Sequence, residues 1–92
     1  QPELTILPGQ QTIPKTVWIP TPERELNHIY NTRTDRKLPP GAQLHGFTGR
    51  LPDGTYVIYS PMPERVDDQA TCTLGHEVLH VLYGQYHANS IP

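Results

Sequence analysis

One long helix is predicted by residues 67–84, DDQATCTLGHEVLHVLYG, and this helix decides the fold. Asp67 or Asp68 is suited to cap its N-terminus, because a carboxylate oxygen accepts from free backbone N–H groups there. Gly84 lies where a residue of left-handed conformation commonly ends a helix. The sequence therefore predicts a helix from about residue 67 to residue 83.

The two sides of this helix differ in composition. An apolar arc at helical spacing, expected to face the core, is formed by Leu74, Val78, Val81 and Leu82. The other side, expected to face a cleft, carries Cys72, His76, His80 and Tyr83. Burial of the apolar arc would present both histidines to the cleft.

The preceding residues predict short elements separated by loops. Residues 1–12 read as an extended arm, and residues 15–19 favour a short strand. A short helix is predicted to begin at Thr21-Pro22-Glu23, with Thr21 as its cap, and to end near Asn31. The apolar face of this helix is formed by Leu26, Ile29 and Tyr30.

A β-hairpin is predicted between the two helices. Residues 43–50 and 55–59 read as strands, and residues 51–54, LPDG, read as the turn between them. The expected fold is α+β, with a small, largely antiparallel sheet packed on the helix of residues 67–83. Residues 1–92 are expected to form a single domain, because a chain of this length supports one core.

Composition excludes several classes of function. The net charge is −2 and no run of Lys and Arg is present, which argues against a nucleic-acid partner. No apolar stretch approaches the length of a membrane span. The lone Cys72 excludes an internal disulfide framework and a four-cysteine zinc site. Because the first residue is Gln1, we expect a processed or trimmed chain, and a periplasmic or secreted location.

The segment His76-Glu77-Val78-Leu79-His80 indicates a metal site. Histidines four residues apart lie on one helix face, separated along the axis by about 6 Å, so both imidazoles can bind one zinc ion. Glu77 is rotated by about 100° from His76, where it can miss the metal yet reach a water held by it. We therefore expect His76 and His80 as zinc ligands and Glu77 as general base.

Catalytic zinc usually has a third protein ligand. His87 follows Gly84 by three residues, which span about 10 Å when extended, so His87 is the expected ligand. His28 or His45 could replace it. Cys72 would extend the helical stack to about 12 Å, too long for one ion, and is expected to be a buried free thiol.

This segment resembles the active-site helix of the zincin metallopeptidases. The metzincin pattern H-E-x-x-H-x-x-G-x-x-H is the most similar, although one extra residue separates His80 from Gly84 here. The resemblance covers roughly residues 55–87 and extends to short bacterial metallopeptidase-like proteins. It implies a minimal zincin-like domain, in which the strand before the helix holds substrate. Those strand residues are Tyr56, Val57, Ile58 and Tyr59.

The expected function is peptide-bond hydrolysis by a zinc-activated water, with Glu77 transferring the water's proton to the leaving amine. Tyr83 or Tyr86 is a candidate donor to the developing oxyanion. The expected partner is a peptide or protein substrate, paired by its backbone to residues 56–59, and a further protein partner is possible. Two alternatives remain: a zincin-like module that binds metal without hydrolysis, and a metal-free binding domain.

Overall fold

The computed structural model describes residues 9–34 and 36–84. Within these ranges the chain forms three strands and two helices. In chain order they are β1 (Thr16–Pro20), α1 (Glu23–Arg33), β2 (Phe47–Arg50), β3 (Tyr56–Ser60) and α2 (Gln69–Tyr83). No helix in this part of the chain is both long and apolar enough to cross a membrane.

The sheet has the strand order β1-β3-β2 and is mixed. β2 and β3 form the predicted antiparallel hairpin, with Phe47 opposite Tyr59. β1 pairs with β3 in parallel, with Thr16 opposite Tyr56. The expectation of a largely antiparallel sheet is therefore corrected. The parallel pair forms because α1 carries the chain back before the hairpin, so that β3 runs in the same direction as β1.

One face of the sheet packs against α1. Alternate residues of the hairpin, including Phe47 and Tyr59, form one buried cluster with Leu26 and Tyr30 of α1. The Phe47 ring stacks on the Tyr59 ring at 4.8 Å between centroids and packs edge-to-face with the Tyr30 ring at 5.2 Å between centroids. The predicted apolar face of the first helix is thus confirmed, and its main contact is the hairpin.

The opposite face of the sheet packs against α2. Thr48 points away from the Phe47 side, and its hydroxyl reaches Glu77 of α2. A Cβ atom added at Gly46 would lie 2.7 Å from Cγ2 of Thr73 and 3.2 Å from the carbonyl oxygen of Tyr59. Glycine at this position therefore lets the helix lie close to the start of β2.

Asp68 caps α2, which confirms one of the two predicted cap residues, Asp67 and Asp68. Its carboxylate accepts from the backbone N–H of Thr71 at 2.8 Å, of Glu64 at 2.8 Å and of Arg65 at 3.0 Å. The N–H groups of Glu64 and Thr71 hold the pKa of the Asp68 carboxyl well below its usual value. The cap fixes the direction in which α2 leaves the loop that follows the hairpin.

The start of α1 differs from the prediction. Pro22 occupies the cap position without a side-chain hydrogen bond, and the Thr21 hydroxyl instead donates to the carbonyl of Ile19 at 2.9 Å. The backbone N–H of Thr21 donates to the carbonyl of Ser60 at 2.9 Å. Thr21 therefore continues the pairing of β1 with β3 and is unavailable as a cap. The helix also continues past Asn31 to Arg33.

β2 is shorter than the predicted strand of residues 43–50. Asn27 of α1 binds the segment before it, donating to the carbonyl of Ala42 at 2.8 Å and accepting from the N–H of Leu44 at 2.9 Å. A side-chain amide thus replaces the neighbouring strand as hydrogen-bond partner, so pairing with β3 begins only at Phe47.

Candidate metal centre

His76 and His80 lie on successive turns of α2 and turn their rings toward each other. Their Nε2 atoms are 3.2 Å apart, and the ring planes meet at 79°. Two nitrogen ligands at about 2.0–2.1 Å from one tetrahedral ion are about 3.3 Å apart. The observed separation is compatible with two ligands of a single zinc ion and equally with a direct hydrogen bond between the two imidazoles.

The end of α2 orients the His80 ring. Nδ1 of His80 lies 3.0 Å from the carbonyl oxygen of Gly84, so the tautomer protonated at Nδ1 donates to that carbonyl and keeps a lone pair on Nε2. Gly84 has φ 73° and ψ −155°, a region open essentially to glycine alone. The residue that ends the helix thus also directs Nε2 of His80 toward His76.

Glu77 is buried between α2 and the sheet, with 1% of its surface exposed. The Thr48 hydroxyl is 2.7 Å from Oε1 of Glu77 and 3.3 Å from its backbone carbonyl. Burial raises the pKa of the Glu77 carboxyl above its usual value, while the hydrogen bond from Thr48 and the nearby His80 act in the opposite direction. Thr48 fixes the position of a carboxylate that is shielded from bulk solvent.

The three side chains of the predicted motif are brought together. One ligand atom from each of His76, Glu77 and His80 lies within 4.8 Å of the other two. Two imidazoles at this spacing can hold a divalent cation. The anchored carboxylate beside them can accept a proton from a water next to that cation. The described residues thus contain a candidate metal centre.

The buried face of α2 differs from the prediction. Its fully buried residues are Glu77, His80 and Val81, whereas Leu74, Val78 and Leu82 are half-buried. The buried face therefore combines Val81 of the predicted apolar arc with Glu77 and with His80, and His80 also lines a cleft as expected. The burial is tolerated because the Thr48 hydroxyl hydrogen-bonds the Glu77 carboxylate and the Gly84 carbonyl hydrogen-bonds the His80 ring.

The third-ligand prediction is divided between two parts of the chain. His87 and the candidate oxyanion donor Tyr86 lie outside the described residues. The alternatives His28 and His45 are exposed and do not join the cluster, and Nδ1 of His45 lies 3.3 Å from a carboxylate oxygen of Glu23. The site as described has two histidines and one glutamate.

Cys72 is a free thiol but is exposed, so the expectation of a buried thiol is wrong. It lies in the first turns of α2, on the surface of the helix. Tyr83 is the last residue of α2 and is half-buried. Its assignment as an oxyanion donor stays a prediction.

The proposed substrate strand requires a correction. Residues 56–59 belong to β3, whose backbone pairs with β1 on one side and with β2 on the other. A peptide cannot pair with a strand whose two edges are both occupied, so Tyr56, Val57, Ile58 and Tyr59 cannot hold substrate in this way. β2 is an edge strand of the sheet, and no described strand pairs with its outer side.

A cleft of about 190 Å³ adjoins the candidate centre beside β2. Its lining residues are Thr48, Gly49, Arg50, Tyr56, His80 and Gly84. Neither Thr48 nor Arg50 stands out as functional in the sequence. The alternation of side chains in β2 was the available signal, but it becomes informative only once the position of α2 over the sheet is known.

The fold and the site define a small mixed α+β protein with a candidate metal centre of two histidines and a glutamate. Comparison of the chain with protein-family models, with curated proteins and with solved structures finds no match.

Proposed function

We infer that this protein is a zinc-dependent metallopeptidase. The observation that carries the proposal is the 3.2 Å separation of the Nε2 atoms of His76 and His80, with the Glu77 carboxylate beside them. Imidazole ligands favour zinc among the common divalent cations of proteins. The His-Glu-x-x-His spacing, which resembles that of the zincins, agrees with this choice of metal and reaction.

Each residue of the centre has a distinct role in the proposed reaction. His76 and His80 would hold the metal, and the Gly84 carbonyl orients the His80 ring. A zinc ion bound there would lower the pKa of a water molecule and polarise the scissile carbonyl. Glu77, held by Thr48, would accept the proton of that water at a carboxylate oxygen and deliver it to the leaving amine.

The outer edge of β2 is the proposed binding surface for an extended peptide. Its backbone groups have no strand partner among the described residues, and Thr48 of this strand contacts Glu77. A peptide that adds to β2 by backbone hydrogen bonds would therefore pass the general base. This assignment replaces β3 as the substrate strand.

The Glu77→Gln variant tests the proposal. Glutamine keeps the size of the side chain and can still accept from Thr48, but it cannot take a proton. We expect hydrolysis of a peptide library to fall by at least about 100-fold, while bound zinc stays at the wild-type level. Hydrolysis is measured from newly formed N-termini, and zinc by elemental analysis of protein purified without added metal.

The His80→Ala variant is the matched control, because it should lose both zinc and hydrolysis. Equal hydrolysis by wild type and the Glu77→Gln variant would contradict the role of Glu77. Bound zinc without hydrolysis by the wild type would refute the peptidase proposal and favour a metal-binding module. Absence of zinc from the wild type and from the Glu77→Gln variant would refute the metal centre itself.

A further inference from the structure

Among the described residues, the cleft beside the candidate centre is lined by a positively charged side chain and by no acidic one. The positively charged side chain is that of Arg50, and His80 lines the same cleft. The Arg50 guanidinium lies 5.1 Å from the centre of the Tyr56 ring, a cation–π contact that holds the cation beside the cleft. The cleft is therefore suited to an anionic group.

The charge of Arg50 is not neutralised by a described neighbour. Within residues 9–34 and 36–84, the ion pairs of arginines involve Arg24 and Arg65, and none involves Arg50. The guanidinium offers five N–H donors in a planar fork that matches a carboxylate. An acidic side chain in the cleft would supply the carboxylate partner.

The pleat of β2 places Arg50 relative to the general base. Arg50 follows Thr48 by two residues, so the two side chains lie on the same face, about 7 Å apart along the strand. Thr48 contacts Glu77. A peptide paired to β2 would therefore bring a side chain to Arg50 two positions away from the residue opposite Thr48.

We propose that Arg50 makes this site selective for peptides with an acidic side chain close to the scissile bond, an inference that rests on the proposed peptidase function. Tyr56 positions the guanidinium, and Arg50 binds the substrate carboxylate. The selectivity is electrostatic and partly exposed to solvent, so it weakens as ionic strength rises.

The test uses two pools of random octapeptides that differ only in a fixed central Glu or Gln. We expect wild-type protein to hydrolyse the Glu pool about threefold to tenfold faster at low salt. Arg50→Gln should bring this ratio close to one, and Arg50→Glu should reverse it. Arg33→Gln, which removes an exposed charge from α1, is the matched control and should keep the wild-type ratio.

Equal hydrolysis of both pools by wild type, or a Glu preference that persists in Arg50→Gln, would overturn the proposal. If neither pool is hydrolysed, the peptidase function fails, and retention of the two pools on immobilised zinc-treated protein then decides about the cleft. Retention of the Glu pool that depends on Arg50 supports an anion-selective cleft. Equal retention of both pools overturns it.

Discussion

At the scale of single residues, the contact between Thr48 and Glu77 gives the candidate centre its order. A carboxylate with 1% exposure is costly to bury unless it is hydrogen-bonded, and Thr48 supplies a hydrogen bond of 2.7 Å. Because Thr48 belongs to the edge strand, the same residue links the general base to the surface proposed for substrate. Thr48 is therefore a positioning residue, acting through Glu77.

Replacing Thr48 by valine should misplace the Glu77 carboxylate without removing the metal ligands. A hydrogen bond to a charged group contributes about 1.5–3 kcal/mol, so we expect kcat to fall about 10-fold to 100-fold while bound zinc is unchanged. Thr48→Ser retains the hydroxyl and should keep most of the activity. The measurements are steady-state kinetics and zinc content, with a thermal melt to show that both variants fold. An unchanged kcat in Thr48→Val would rule out a positioning role.

The sequence predicted only part of this residue-scale arrangement. Four-residue spacing on a helix was enough to bring His76 and His80 together, because helix geometry is local. Thr48 precedes Glu77 by 29 residues, and its contact depends on how α2 lies across the sheet. The choice of zinc, the role of His87 and catalysis itself stay predictions.

At the scale of elements, the distance between α2 and the sheet is set at Gly46. The positive-φ glycines of the described residues do not include Gly46, so its requirement comes from space and not from backbone conformation. Close packing there buries Glu77 and His80 together with Val81, whereas the other residues of the predicted apolar arc are only half-buried. Periodicity alone locates helix faces, but hydrogen-bond partners on another element decide which face is buried.

Gly46→Ala should destabilise the protein by about 1–3 kcal/mol, because its Cβ would meet Cγ2 of Thr73 at 2.7 Å. Thr73→Ser removes that methyl group, so the same alanine substitution should cost clearly less in the Thr73→Ser background. The free energy of unfolding of the four proteins, from denaturant titration, gives this difference. Equal costs in both backgrounds would show that contact with Thr73 does not limit the approach of α2.

At the scale of the whole molecule, the sheet divides the described structure into two layers of different character. The α1 side contains the aromatic and aliphatic cluster, whereas the α2 side contains the polar residues of the candidate centre. The helices and the hairpin were predictable from local patterns. The parallel pairing of β1 with β3 was not, because it depends on contacts between residues about 40 positions apart. The centre thus lies on the side that gains least from apolar packing.

A metal bound on the α2 side should therefore contribute measurably to the stability of this small protein. Zinc at about 100 times its dissociation constant adds about 2.7 kcal/mol to the native state, provided that the unfolded chain does not bind it. For a domain of this size, that corresponds to a rise in melting temperature of about 10–20 °C relative to protein with a chelator. The readout is a thermal melt followed by circular dichroism.

The variants locate the source of this stabilisation. His80→Ala should melt at the same temperature with zinc and with chelator, because one of the two described imidazole ligands is gone. His76→Ala makes the same test at a half-buried position, where truncation disturbs packing less. Cys72→Ser should retain the full response, since Cys72 is exposed and lies outside the cluster. A zinc response that survives both histidine substitutions would place the ion elsewhere. If the wild type melts at the same temperature in zinc and in chelator, metal binding does not stabilise the α2 side, which then depends on Thr48 and on the close packing at Gly46.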